Sequence, residues 1–163
     1  MDISFEIRDK WGNQLKVALS YYDAEILHAF TSDAYVLTLT FYDVTLVREG
    51  GVGYVGYKML STVSGILFRF LEDNEDAVLC FYCDSATDVN RKRREIPPQE
   101  YRSALFSRMF EEYVLSHNIS EYVNHCVVVE DTDNSWNSQY AHFICRKCHE
   151  IAVRSIGKLL LEK

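Results

Sequence analysis

The sequence predicts an α+β fold: a mainly antiparallel mixed sheet packed against about three helices, in the order β-β-β-α-β-α-β-β-α. Apolar and polar residues alternate near the amino terminus, which is typical of strands with one buried face, and apolar residues recur at three- and four-residue spacing in later stretches, which is typical of helices. Between these patterns, the seven residues Ala77 to Cys83 carry no charge. They predict a central strand that is covered on both faces.

The first third of the chain is predicted to form strands. Alternation over residues 3–21, interrupted by the turn-forming residues Lys10 to Asn13, predicts a β-hairpin. Residues 23–30 break the pattern and fit a short helical turn. Residues 35–41 are predicted as a third strand, which residues 44–47 either extend or follow as a fourth.

Helices and strands then alternate. Residues 57–71 predict a helix, in which Gly65 costs roughly 1 kcal/mol against alanine and indicates a close contact between helix and sheet. After Ile96-Pro-Pro98, a broad apolar face predicts a second helix that reaches about Ser116. The remaining elements are predicted as a strand at 122–129, a long polar hairpin loop at 131–138 with Trp136 exposed, a strand at 140–146 and a terminal helix carrying Ile151 to Leu160.

Composition limits the classes of function. A chain of 163 residues is predicted to form a single domain, residues 1–163, that needs no disulfide, metal or cofactor for stability. The amino terminus lacks the features of a secretory signal and no apolar run is long enough for a membrane span, so we expect a cytoplasmic protein with no membrane partner, in which the 5 cysteines are reduced thiols. A formal charge of −7 argues against broad electrostatic binding to nucleic acid and favours basic partners.

The candidate binding site follows the central strand. Asp84, Ser85 and Asp88 stand where that strand ends, and ligands often bind at the carboxyl ends of strands in α/β sheets. Arg91 and Arg94 follow in the same loop. The alternatives are a solvated loop whose charges pair with each other and a site for an anion or a partner protein.

A glycine-rich segment, residues 50–56, contains a Gly-x-Gly-x-x-Gly match before a helix. The preceding strand belongs to a predicted antiparallel meander, and Tyr54 and Val55 would crowd a pyrophosphate. A connector between sheet and helix is therefore preferred over a nucleotide-binding loop.

Two Cys-x-x-Cys pairs raise the question of a metal. Cys80 and Cys83 lie three apart in a strand, so they are expected to point to opposite faces, which argues against a four-thiolate zinc site. Cys145-Arg-Lys-Cys148-His149 matches the haem-attachment pattern, but a thiol or metal cluster of Cys145, Cys148 and His149 is the better-specified alternative. His125 or His142 from the paired strands would be its further ligands. No Ser/His/Asp arrangement can be assigned from spacing.

Residues 70–85 carry a resemblance to a known family. The segment combines a helix that ends in an acidic turn with an asparagine, the apolar strand, the Cys83-Asp84-Ser85 exit, and the basic residues Arg91 and Arg94 before an aromatic-rich helix. This combination resembles a family of uncharacterised bacterial single-domain proteins, mainly from Bacteroidota. The likeness spans residues 60–113. It implies the fold, a bacterial cytoplasm and a focus on the strand exit, but no catalytic role.

Three functions follow as hypotheses. The first is a protein-interaction or regulatory protein without evident catalysis, of an immunity, antitoxin-like or defence-accessory kind, which binds a partner protein or a second copy through its acidic surface, a strand edge or the loop 84–94. The second is a metal- or thiol-dependent enzyme that uses Asp84, Ser85 and the cluster at 145–149. The third is nucleic-acid binding through Arg91 to Arg94, supported by Arg102 and Arg108.

Overall fold

The computed structural model describes residues 2–22, 24–51, 56–83 and 96–161. The predicted α+β fold is confirmed, and the predicted order of its elements matches the structure roughly, with one further helix between the second and third strands. In chain order the elements are β1 Ile3–Arg8, β2 Gln14–Tyr21, α1 Ala24–Phe30, β3 Thr40–Gly50, α2 Tyr57–Asp73, β4 Ala77–Cys83, α3 Pro98–Ser116, β5 Tyr122–Val129, β6 Gln139–Arg146 and α4 Glu150–Leu161.

The strands form one mixed sheet in the order β1-β2-β3-β4-β6-β5. Only the β3–β4 pair among these is parallel, because α2 connects the two strands as a crossover. Strand β4 lies between β3 and β6, and six of its seven residues are buried. The prediction of a central strand is therefore confirmed.

Two apolar layers sandwich this sheet. Helices α2 and α3 pack on one face, over residues such as Leu19, Leu79 and Phe81. Helices α1 and α4 contribute to the layer on the opposite face, over Phe41 and Val78. None of the described helices is long and apolar enough to cross a membrane.

The hairpin between β1 and β2 is fixed by polar contacts in its turn. The Asp9 carboxylate accepts hydrogen bonds from the backbone N–H groups of Trp11 and Asn13, both at 2.9 Å. Gly12 has φ of +86°, a conformation that glycine adopts at little cost. Gly51, in the glycine-rich segment, has φ of +89°, and a Cβ at this position would collide with Asn13. The backbone conformation and the close contact therefore account for a glycine here.

The predicted start of the third strand is wrong. Residues Val36–Thr38 form a 3₁₀ turn, and β3 begins only at Thr40. The carboxylate of Asp33 accepts a hydrogen bond from the backbone N–H of Tyr35 at 2.9 Å, and the Thr38 hydroxyl donates to the Tyr35 carbonyl at 2.6 Å. These local bonds compete with a strand, which explains why the alternation of side chains misled the prediction.

Helices α2 and α3 each differ from their sequence prediction at one point. Gly65 on α2 faces Tyr113 of α3, whose nearest ring carbon lies 4.0 Å from where a Cβ would be, so the predicted contact with the sheet is wrong. The aromatic residues of α3 are only half-buried, whereas its two buried residues are polar, Gln99 and Ser103. Both belong to the polar contacts described next.

Candidate functional site

The sequence-predicted loop site lies outside the described residues, because Asp84, Ser85, Asp88, Arg91 and Arg94 all fall in the gap between 83 and 96. The structure describes what flanks them. Cys83, the last residue of β4, is buried and pairs with Tyr140 of β6. Pro97, which precedes α3, is buried as well. Residues 84–95 thus lie in the sequence between the carboxyl end of the central strand and α3.

The second predicted cluster lies at the start of α4. Cys145 is fully buried, and burial raises the pKa of its thiol to about 12, with smaller contributions from Cys148 and Glu150. Cys148 is exposed. The two thiols of this pair thus occupy different environments.

His149 holds the start of α4 in place. Its Nε2 lies 2.8 Å from the carbonyl oxygen of Glu75, which can only accept a hydrogen bond, so Nε2 carries the hydrogen. Its Nδ1 lies 2.7 Å from the Tyr35 hydroxyl. Both ring nitrogens therefore have protein partners and are not free to bind a metal ion. In the part of the chain that the structure describes, no three or more His, Cys, Asp or Glu side chains are arranged to hold one.

The two histidines considered as further ligands lie on opposite faces of the sheet. His125 pairs with Phe143, which lies on the α4 face of the sheet, the same face as Cys145. His142 is three residues before Cys145 on β6, so its side chain points to the α3 face. It therefore cannot join Cys145 and Cys148 around one ion.

His142 is instead the centre of a second polar group, which we call the His142 cluster: Ser103, Asn124, Cys126 and His142. Nδ1 of the imidazole lies 3.1 Å from Oδ1 of Asn124, and Nε2 lies 2.7 Å from Oγ of Ser103. The sulfur of Cys126 lies 3.7 Å from the same Nε2 and 3.9 Å from Oγ of Ser103. Three side chains from two elements, α3 and β5, thus converge on the imidazole ring of β6.

The hydrogen positions in this cluster follow from the acceptors. Oδ1 of Asn124 can only accept, so Nδ1 of His142 carries the hydrogen. Nε2 then has a free lone pair, to which the Ser103 hydroxyl donates. In this tautomer Nε2 is the unprotonated nitrogen, with Ser103 bound to it and the Cys126 sulfur 3.7 Å away.

Strand pairing explains the assembly. Cys126 of β5 is directly opposite His142 of β6, and Asn124 lies two residues away on the same face. Ser103 reaches the imidazole from α3, which packs over this part of the sheet. Phe106 lies on α3 one turn after the serine, with its ring centroid 6.3 Å from that of His142.

The electrostatic environment keeps the cluster neutral. His142 is fully buried, and burial lowers its pKa to about 4. Burial also raises the pKa of the Cys126 thiol, an effect that its contact with Ser103 partly offsets. At neutral pH the imidazole is therefore unprotonated and the thiol keeps its proton.

Gln99 lies one turn before Ser103 on α3 and is fully buried. Its amide nitrogen donates to the carbonyl oxygens of Trp136 and Ser138, the latter at 2.9 Å, and so fixes the β5–β6 loop to α3. Its Oε1 is buried and has no hydrogen-bond partner among the described residues.

Sequence reasoning missed the His142 cluster because its members come from three separate segments. The sequence alone does not define the β5–β6 register that places Cys126 opposite His142. The available signal was the pair of polar residues, Asn124 and Cys126, at alternate positions of a strand otherwise rich in valine.

Comparison of the chain with protein-family models, curated proteins and solved structures finds no match. The resemblance stated from the sequence therefore stays a prediction, and any function has to be argued from the residues themselves.

Proposed function

We propose that this chain is a protein-interaction protein that binds an extended segment of a partner protein as an additional strand along β5. The observation that carries the proposal is the character of that strand. Among the described residues β5 has a sheet neighbour, β6, on one side only, and its sequence Tyr-Val-Asn-His-Cys-Val-Val-Val contains neither a charged residue nor a proline.

Such an edge favours pairing with another chain. The outer edge of a sheet presents unpaired backbone N–H and C=O groups, and proteins commonly protect it with charges or proline. The other edge strand, β1, carries Glu6 and Arg8 within six residues. Strand β5 has eight residues and no such protection, and its Cys126 and Val128 side chains are exposed. Strand addition is an established mode of peptide recognition.

Charge indicates the kind of partner. The uncharged strand is preceded by Glu121 and followed by Glu130, Asp131 and Asp133, and the chain has a formal charge of −7. We infer a partner segment with β-branched side chains in its centre and lysine or arginine at its ends. Opposite charges beside the paired strands would favour this segment over an acidic one.

The same charges argue against a second copy as the partner. In an antiparallel pairing that aligns all eight residues of two β5 strands, Glu121 of each copy would face Glu130 of the other. Like charges directly opposite each other are destabilising. A basic partner segment has no such repulsion.

A designed peptide tests the proposal. We expect a synthetic peptide of alternating valine and threonine, with lysines at both ends, to protect the backbone amides of β5 from hydrogen exchange, as read by NMR. Val128→Lys should weaken its binding at least ~10-fold, because it places a positive charge at the edge beside the basic end of the peptide.

Val47→Lys is the matched control, since Val47 on β3 is 44% exposed and Val128 is 45% exposed. It should leave binding unchanged. If the peptide does not slow hydrogen exchange at the β5 amides, strand addition at β5 is refuted. It is also refuted if both variants lose binding equally. A dimer of the chain alone that Val128→Lys dissociates would assign the edge to a second copy instead.

A further inference from the structure

We propose that the His142 cluster is a thiol acyl-transfer site that hydrolyses activated esters or thioesters, with Cys126 as nucleophile and His142 as general base. This inference goes beyond the binding role of β5. Strand addition depends on the backbone of β5, whereas acyl transfer depends on side chains, so each proposal can fail without the other.

The geometry assigns the roles. A nucleophile needs a base within reach, and the base needs a third group that fixes its orientation and tautomer. The Cys126 sulfur lies 3.7 Å from Nε2 of His142, and Asn124 binds the opposite nitrogen at 3.1 Å. Asn124 is thus a positioning residue that keeps Nε2 unprotonated and turned toward Ser103 and the thiol.

Ser103 provides a route for the proton while its hydroxyl is bound to Nε2. Its hydroxyl donates to Nε2 at 2.7 Å and lies 3.9 Å from the thiol. The thiol proton can therefore pass to Oγ while the serine proton passes to Nε2, with the same net result as direct transfer. Ser103 itself is buried and is not placed to attack a substrate.

Of the three residues that take part in proton transfer, only Cys126 is exposed. Cys126 is exposed on the edge strand, whereas His142 and Ser103 are buried beneath it. A carbonyl carbon can thus approach the sulfur from solvent while the base stays shielded from water. The neutral imidazole described above is the form that accepts a proton.

The reaction balances without an oxidant or cofactor. The Cys126 sulfur bonds to the acyl carbon as its proton moves to His142, the bond to the leaving oxygen or sulfur breaks, and the leaving group takes that proton. A water molecule then attacks the Cys126 thioester and gives a proton to His142. The carbon–sulfur bond breaks and the thiol regains the proton, so ester and water become acid and alcohol.

The first experiment follows acetylation by p-nitrophenyl acetate, with release of p-nitrophenol measured by absorbance and the acetyl group located by mass spectrometry. We expect a burst of p-nitrophenol and an acetyl adduct on Cys126. Cys126→Ala should abolish both. Cys148→Ala, at the other exposed thiol among the described cysteines, should change neither.

Variants of the base and its positioning residue complete the test. His142→Gln should slow acylation by ~100-fold or more, the scale of general-base catalysis. Because His142 is buried and its variant could unfold, Asn124→Ala and Asn124→Asp provide a second measure at a half-buried position. Alanine should slow acylation, and aspartate, which also accepts from Nδ1, should restore it at an unchanged melting temperature.

Three results would overturn the proposal: an acetyl group on Ser103 or Cys148 instead of Cys126, the same burst in Cys126→Ala as in the unmodified chain, or equal acylation rates in both Asn124 variants and the unmodified chain. A loss of β5 binding to the lysine-flanked peptide would leave acylation of Cys126 intact. The two proposals are therefore distinguishable.

Discussion

A single residue, His142, makes the folded state sensitive to pH. Its ring is fully buried and satisfied in the neutral form by Asn124 and Ser103. Burial lowers its pKa from the ordinary 6.5 to about 4. In the unfolded chain the imidazole is hydrated and binds a proton at the ordinary pKa.

We predict that the free energy of unfolding falls by about 2 kcal/mol between pH 7 and pH 5 through His142 alone. The unfolded state binds a proton below pH 6.5 while the folded state does so only near pH 4, so the loss begins as pH falls through the unfolded pKa and is complete below the folded one. Urea unfolding at both pH values measures it.

His142→Gln is the comparison protein, since it removes the titrating ring. The pKa of His125 is also lowered by burial, and that of Asp43 is raised by it, but both groups are present in each protein and cancel in the difference. Equal pH dependence of the two proteins would contradict the argument.

At the scale of elements, Phe68 connects the two helices on one face of the sheet. Its ring stacks on Tyr113 of α3 with centroids 4.3 Å apart and planes at 12°, and meets Tyr122 of β5 edge-on at 5.4 Å. The ring of Phe110 on α3 also stacks against Phe68, with their centroids 5.7 Å apart. One side chain of α2 thus contacts both its neighbouring helix and the sheet.

We expect Phe68→Ala to lower the free energy of unfolding by about 3–5 kcal/mol, because it removes a buried aromatic side chain and leaves a cavity between α2 and α3. Chemical denaturation measures the change. Leu115→Ala on α3, at a side chain that is 80% exposed, should shift stability by no more than about 0.5 kcal/mol. Similar losses in both variants would show that the aromatic contacts contribute little.

Elements with long, uniform patterns were predictable from the sequence. The bounds predicted for β4 and β5 match the structure, as does the extent of α3 from Pro98 to Ser116. The third strand was not, because the side chain of Asp33 competes for backbone N–H groups in a segment whose pattern resembles a strand. Local hydrogen bonds of this kind depend on backbone geometry that apolar spacing does not record.

The candidate site was less predictable than the fold. The sequence directed attention to the loop at 84–94 and to Cys145, Cys148 and His149, whereas the structure brings together Ser103, Asn124, Cys126 and His142. A one-residue change in the β5–β6 register would turn Asn124 and Cys126 to the other face. Long-range register, not composition, therefore determines the cluster.

At the scale of the whole molecule, the centre and the edge of the sheet differ in how far neighbouring strands and apolar layers cover them. Strand β4 has neighbours on both sides and apolar layers on both faces. Strand β1 has one neighbour among the described strands, and its residues alternate between exposed and half-buried. Resistance to local opening should follow this gradient.

We predict that native-state hydrogen exchange is slowest at the amides of β4 and β6 and much faster at those of β1. Opening β1 separates one strand pair and exposes little apolar surface, whereas opening β4 breaks two pairs and both layers. Residue-resolved exchange by NMR checks this. Equal protection of β1 and β4 would indicate that the sheet opens only as a unit.

The position of β4 also matters while the chain is being synthesised. Its partner β3 leaves the ribosome before it, but its other partner, β6, begins only at Gln139, 56 residues after Cys83, the last residue of β4. Until then the nascent chain displays one edge of its most apolar strand. Elongation speed and chaperone access over the segment from 84 to 146 should thus determine how much of this protein escapes aggregation.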